Sequence, residues 1–305
     1  MEQPVKNRNI EEIVGINGQT WKEKMIAYKA HPFSFFMWIL VLVAAGLTIS
    51  TLGYLILYIF VKGVPNLSLS LFEWRYTSAN VSMMPAIINT VFMTALSLLI
   101  SVPIGIGAAI YLVEYARKGN KLVGIVRITA ETLIGIPSII YGLFGSLFFV
   151  IALKWKLSLL SGAFTLAIMV LPVVMRTTEE ALLSVPESYR TGSYGLGAGK
   201  LRTIFRVVLP SAIPGILSGV ILAIGRILGE TAALIYTAGN ISKIPRSLFD
   251  STRTLAVHMY SLSKEGLYIN QANATAVVLL ILVLFINYIS GLLANKLSKA
   301  SGGEK

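Results

Sequence analysis

The sequence predicts an all-α membrane protein with six transmembrane helices, and three observations carry that prediction. Hydrophobic residues make up 55% of the chain and charged residues only 13%, with a mean hydropathy of +0.74; a soluble domain carries about 25% charged residues. Apolar runs of about 20 residues or slightly more recur six times, the length a helix needs to cross a hydrocarbon core about 30 Å thick. The alternating segments of about ten residues that build a spanning β-barrel are missing. The chain has no cysteine, which excludes disulfides and cysteine metal sites. A net charge of +12 would suggest nucleic acid in a soluble protein. Here it reads as lysine and arginine gathered on one side of a membrane, with no nucleic-acid partner.

The N-terminal tail, residues 1–35, holds five basic and four acidic residues with little apolar surface and reads as a solvated positive leader. A membrane-surface helix near Trp21–Tyr28 is a weaker alternative. The first span, about Phe36–Val61, is too long for a signal-peptide core and reads as a retained anchor. The second, Pro85–Val113, contains Asn89-Thr90, Pro103 and two glycines, which suits a helix packed in a bundle. Asn89 is either an interhelical hydrogen bonder or a ligand contact. The third and fourth spans, Leu133–Leu153 and Leu157–Met175, are joined by the hairpin Lys154-Trp155-Lys156, so they are antiparallel neighbours. The fifth runs Val207–Ala238, and the sixth Ala274–Leu293. The tail 296–305 is polar and reads as disordered.

Alternate connecting segments differ in charge. The N-terminal tail, 114–132, 176–206 and the C-terminal tail together hold 17 Lys and Arg, the other segments nine. Both termini and the 176–206 loop are therefore expected to be cytoplasmic, in a multi-pass protein of the plasma or inner membrane. Two capping patterns in that loop, Thr177 with Glu180 and Ser184 with Glu187, predict two short helices with a bend near Val185-Pro186. Their apolar residues (Ala181, Leu182, Leu183, Tyr189, Tyr194, Leu196) are too few to fold alone and require a surface to press against. Lys200 follows Gly197-Ala-Gly199 but lacks the rest of a phosphate loop, so ATP is not bound there.

In the fifth span the helix count places Arg226 about 18 Å above Pro214, near the midplane of the bilayer. Glu230 follows one turn later at i+4, on the same face. A charge at that depth costs at least about 2.5 kcal/mol and needs a partner or a wet cavity. Arg226 and Glu230 are thus either a mutual ion pair that fixes packing or part of a path for an anion. Gly215, Gly219, Gly225 and Gly229 repeat at spacings of four or six on this helix and allow close backbone approach. His31 and His258 stand alone, which predicts no metal site, and no other residue set calls for a cofactor. The spans hold no paired catalytic groups, so the chain is not read as an enzyme.

Gly197, nine residues, then Val207-Val208-Leu209-Pro210 resembles the cytoplasmic signature of ABC-importer permeases: Glu-Ala-Ala, three residues, Gly, nine residues, Ile, any residue, Leu-Pro. Thr191-Gly192-Ser193 stands where Glu-Ala-Ala belongs. The segments Met175–Arg190 and Gly225-Arg-Ile-Leu-Gly-Glu-Thr-Ala-Ala-Leu234 resemble the inorganic-phosphate permeases of the Pst type, and the Ala-Ala after Gly-Glu-Thr is similar to the PstA member of that pair rather than PstC. The resemblance spans about residues 36–295. It implies a type I importer permease fold, with a coupling loop at 176–206 between helices 4 and 5. It also implies a second, PstC-like permease, two PstB-like ATPase subunits that hydrolyse ATP, an external PstS-like phosphate-binding protein, and membrane lipid around the spans. Glu179, Glu180, Glu187, Arg190, Thr191, Gly197, Leu209 and Pro210 would contact the ATPase. Arg226, Glu230, Thr231 and Asn89 would line the substrate path. Permeases for molybdate, tungstate or sulfate share these features, and a stand-alone secondary transporter is the remaining alternative.

Overall fold

The computed structural model of the protein describes residues 32–117 and 119–300. The readings of residues 1–31 and 301–305 lie outside the described residues. No strand forms among those described. The chain divides into two compact units, Met1–Tyr58 and Ile59–Lys305. The division falls inside the first helix, α1 (Pro32–Gly63). Within the first unit, Leu47, Ile49 and Tyr54 are exposed, as on a helix clothed by lipid or by another helix rather than by its own core.

The second unit takes in the end of α1 and two short 3-10 turns, Val64–Asn66 and Leu69–Phe72, and then α2 (Met84–Ile110), which ends in a π-helical turn, Tyr111–Tyr115. Next come α3 (Lys121–Ile134) and α4 (Ser138–Gly145, continued as a π-helix over Ser146–Ala152), then α5 (Leu159–Leu183). Two short helices follow, α6 (Glu187–Gly195) and α7 (Lys200–Thr203), the latter running through a π-helical turn into α8 (Leu209–Leu228). The chain closes with α9 (Ala232–Thr237), α10 (Leu255–Glu265) and α11 (Ile269–Ala300). Among the described residues five helical segments are each long and apolar enough to cross a membrane, and there are six if α3 and α4, a pair bent by 103°, count as one broken span.

Several sequence expectations are corrected here. The third span is not one helix over Leu133–Leu153. It breaks at Gly135-Ile136-Pro137, because Pro137 lacks an N–H and disfavours the helical conformation at Ile136. The fifth span starts earlier than Val207 and stops at Leu228 rather than Ala238. No helix begins at Thr177: α5 runs unbroken to Leu183, and the Thr177 hydroxyl donates back to the Val173 carbonyl at 2.9 Å. Ser184 does not cap α6 either; its hydroxyl donates to the Ala181 carbonyl, and Pro186 starts the helix. The C-terminal helix continues through Ala300, past the expected start of the tail at 296.

α5 is the centre of the packing. Its residues Leu166, Met169, Val170 and Val174 are buried in one apolar cluster, and Ala181 and Leu182 in the next. Neighbouring helices approach it through glycine. A methyl group on Gly105 of α2 would lie 2.9 Å from Val174, and one on Gly215 of α8 would lie 2.6 Å from Ala181. One on Gly219 would collide with the Thr177 hydroxyl. In a bilayer such close packing, rather than the hydrophobic effect, drives helices together. Gly225, by contrast, faces open space, so only part of the expected glycine spacing is used.

Gly219→Ala is accordingly expected to cost about 1–3 kcal/mol through overpacking, while Gly225→Ala should stay within about 0.5 kcal/mol. Unfolding of the two purified variants in detergent distinguishes the positions; equal stabilities would contradict the packing described.

Candidate functional site

Two groups of polar side chains interrupt this apolar bundle, and the first gathers where α5 ends. Arg190 of α6 is only 7% exposed. Its Nη2 and Nε donate to Glu114 Oε1, at 2.8 and 3.0 Å, and its Nη1 and Nη2 to the Val185 and Leu182 carbonyls. Glu114 lies in the π-helical turn ending α2, so a single guanidinium joins α6 to the ends of α2 and α5. Lys200 adds a second tie, its ammonium 4.8 Å from the centre of the Tyr115 ring. Both arginine and glutamate are buried, and removing one partner of such a pair costs about 3–5 kcal/mol.

Most residues expected to form an outward polar surface therefore separate into two classes. Glu179 is 1% exposed and pairs with Arg127 of α3 inside the bundle. Arg190 is likewise internal. Glu180 is exposed and accepts from Arg176 at 2.8 Å, while Glu187 and Thr191 are exposed on α6. Gly197 turns the chain between α6 and α7 with φ +81, a conformation that favours glycine. Leu209 and Pro210 are half-buried at the start of α8. Around the exposed polar residues stand Leu183, Tyr189, Tyr194, Leu201 and Leu196, the last 91% exposed. Ala181 and Leu182 face the core instead.

The second group surrounds Arg226. Arg226 is half-buried and makes no ion pair with Glu230 or with any other described residue. Glu230 does not sit one helical turn above it, because α8 ends at Leu228. Instead the Glu230 carboxylate, 8% exposed, accepts from the Ala233 N–H at 3.0 Å and caps the first turn of α9. Thr231 lies in the same break. The expected mutual ion pair is thus replaced by a capped discontinuity. α9 in turn packs on α4, where a methyl group on Gly142 would lie 2.7 Å from Ala233. Arg226, Arg176, Thr177, Ile134, Val173 and Leu222 line a cavity of about 260 Å³ beside these two breaks. Arg176 was not a path candidate from sequence; its usable signal was the i,i+4 pairing with Glu180, which marks continued helix beyond Met175.

Asn89 is remote from this cavity in role. Its buried amide donates to the Lys243 and Arg253 carbonyls, at 3.0 and 3.2 Å, and so anchors the 239–254 loop at the opposite end of the bundle. That loop rims a cavity of about 750 Å³ lined by Trp74, Arg75, Tyr76, Lys243, Arg246 and Asp250, among others. Behind it Arg253 stacks over Tyr76, 4.8 Å from the ring centre, and His258 meets the same ring edge-on.

These features define an integral-membrane protein: a polytopic bundle with interrupted spans, an arginine without an ion pair among the described residues, and an exposed apolar face on α6 and α7. Comparison with known proteins makes the assignment specific. Residues 101–300 match the family model "Binding-protein-dependent transport system inner membrane component", and the chain belongs to that family. It is 35% identical over 75% of its length, and 84% of the relative, to "Probable ABC transporter permease protein YqgI" of Bacillus subtilis. It is 34% identical to "Phosphate transport system permease protein PstA" of Haemophilus influenzae, covering 77% of this chain and 84% of that one. Among solved structures it resembles a bacterial alginate ABC transporter chain, with a TM-score of 0.65 over 89% of this chain and 98% of that one at 16% identity. A chain of the MetNI methionine ABC transporter follows, with a TM-score of 0.55 over 70% and 94% at 20% identity. Those likenesses establish the importer-permease fold.

The loop end supplies a test of its own. Burial, reinforced by the neighbouring Arg253 charge, lowers the pKa of His258 from 6.5 to about 3. The folded chain keeps the imidazole neutral where the unfolded chain takes up a proton, so stability should fall as pH drops from 6.5 towards 3. Unfolding measured against pH should show a flatter acid slope in His258→Gln; an unchanged slope would place the titration elsewhere.

Proposed function

We propose that this chain forms half of the translocation path of an ATP-driven importer for inorganic phosphate. A second, PstC-like permease supplies the other half, two PstB-like ATPase subunits supply energy, and a PstS-like binding protein delivers substrate from outside. Both termini and α6 face the cytoplasm, as the charge distribution over the connecting segments favours. The transport domain corresponds to residues 36–295, with short flanking tails. The observation that carries the reading is the unpaired Arg226 where two interrupted spans meet, on a chain whose relatives include phosphate permeases named PstA.

Interrupted spans are where membrane transporters expose backbone and charge to a substrate. The forked guanidinium of Arg226 suits the oxygens of an oxyanion. Arg176, held by Glu131 and Glu180, adds a second positive group to the same cavity. With its charge partly neutralised, Arg176 raises the local potential without fixing the anion. Glu230 and Thr231 act by shaping the break above Arg226, and Asn89 by holding the outer loop. At the other end of the path, Leu196, Tyr189, Tyr194 and Leu183 give the ATPase an apolar surface, bordered by Glu180, Glu187 and Thr191. Gly197 sets the turn of that surface, and Leu209-Pro210 roots it in α8. The basic mouth around Lys243 and Arg246 faces the binding protein.

Reconstitution of the four components in proteoliposomes tests the proposal. Arg226→Gln should lower ATP-dependent phosphate uptake about 10- to 100-fold, the range expected for losing a charged hydrogen bond, while the complex still assembles. Arg226→Lys with undiminished uptake would remove the argument for a forked donor. Sulfate or molybdate carried as fast as phosphate would reassign the substrate, and uptake by this chain alone would overturn the importer reading. Leu196→Asp should weaken co-purification of the ATPase.

A further inference from the structure

We propose that the Glu114–Arg190 pair is the clamp through which movement of α6 is passed to the outer loop, with α2 and α5 as the connecting rods. The inference rests on the importer reading and adds to it a positioning residue, Glu114, together with a route.

At one end of the rods the attachment is charged and buried. Arg190 donates twice to Glu114, once to the Leu182 carbonyl in the last turn of α5 and once to the Val185 carbonyl just beyond it, so α6 cannot shift without pulling on both helices. The π-helical turn Tyr111–Tyr115 presents Glu114 to this contact, and Lys200 over Tyr115 fastens α7 to the same turn. Along their length the rods move together, because Gly105 and Gly162 bring α2 and α5 to van der Waals contact, the latter against Met93. Pro103 lies between these contacts without interrupting the helix.

At the far end both rods grip the 237–255 segment. Asn89 of α2 donates to the Lys243 and Arg253 carbonyls, and Thr90 accepts from the Leu255 N–H at 2.8 Å. The start of α5 donates its Leu159 and Leu160 N–H groups to the Asp250 and Leu248 carbonyls, both at 2.9 Å. Glu114 and Asn89 are 25 residues apart on one helix, about 38 Å at 1.5 Å per residue. A displacement imposed on α6 is thus delivered to the segment that carries Lys243, Arg246, Asp250 and Ser251 on the rim of the larger cavity. Packed elements with fixed attachments at both ends move as units rather than deforming.

The experiment compares phosphate transported with ATP hydrolysed in proteoliposomes holding all four components. Glu114→Gln should retain the ATPase in the complex and keep its hydrolysis, but lower the phosphate carried per ATP about tenfold, within the usual range of site-to-site coupling. Glu114→Asp should recover part of the loss. Should Glu114→Gln fail to accumulate, Thr90→Val tests the same route from the far end: it removes the acceptor for Leu255 without touching the ion pair, and should uncouple in the same way. Unchanged phosphate per ATP in Glu114→Gln, or in Thr90→Val where that variant stands in, overturns the clamp. Loss of the ATPase from the Glu114→Gln complex also overturns it, since the pair would then only build the docking face. Failure of the unaltered complex to import phosphate would instead overturn the importer reading.

Discussion

Charge compensation in an apolar setting governs how this bundle is assembled. The arginines of α3, α5, α6 and α8, one in each helix, meet the cost of desolvation differently. Arg127 is neutralised by a fully buried glutamate, Arg190 by Glu114 and two carbonyls, and Arg176 by two more exposed carboxylates. Arg226 has no anionic partner among the described residues. The three compensated arginines each join separate helices, so they serve as fasteners. The fourth retains its capacity to attract an anion because nothing internal satisfies it.

The two discontinuous spans follow from the same physics of an anhydrous medium. Backbone groups freed at Gly135–Pro137 and at Gly229–Thr231 must find partners inside the protein. Tyr141 donates to the Leu133 carbonyl at one break, and Glu230 accepts from Ala233 at the other. Packing α4 against α9 then shields both. The outcome is a small polar region beside the two breaks, with part of the freed backbone satisfied by Tyr141 and Glu230.

Composition and apolar runs made the membrane class and the five or six spans legible. What stayed hidden depends on side chains from distant segments. Hydropathy ended the fourth span at Met175, since Arg176, Glu179 and Glu180 are charged, yet the helix continues because each of those charges finds a partner on α3 or on α5 itself. The same blindness assigned Glu179 and Arg190 to an outer surface: a charged residue reads as solvated until its buried partner is known. Hydrophobicity also ran the fifth span through Glu230, where the carboxylate's preference for the Ala233 amide ends the helix. Of the apolar residues read as needing an outside surface, Ala181 and Leu182 are buried in the bundle, while Leu183, Tyr189, Tyr194 and Leu196 are not covered by the described residues.

The glycine contacts along α5 have an implication for how such a chain can diverge. What they preserve is a separation between helix axes, and that distance can be met by different pairs of side chains. A methyl gained at Gly215 could be offset by one lost at Ala181, leaving the spacing intact while both identities change. Surfaces that meet only lipid face no such matching requirement. A scaffold of this kind can drift far in composition and be refitted to unrelated cargo, with paired exchanges at the helix crossings as the principal restraint on its history.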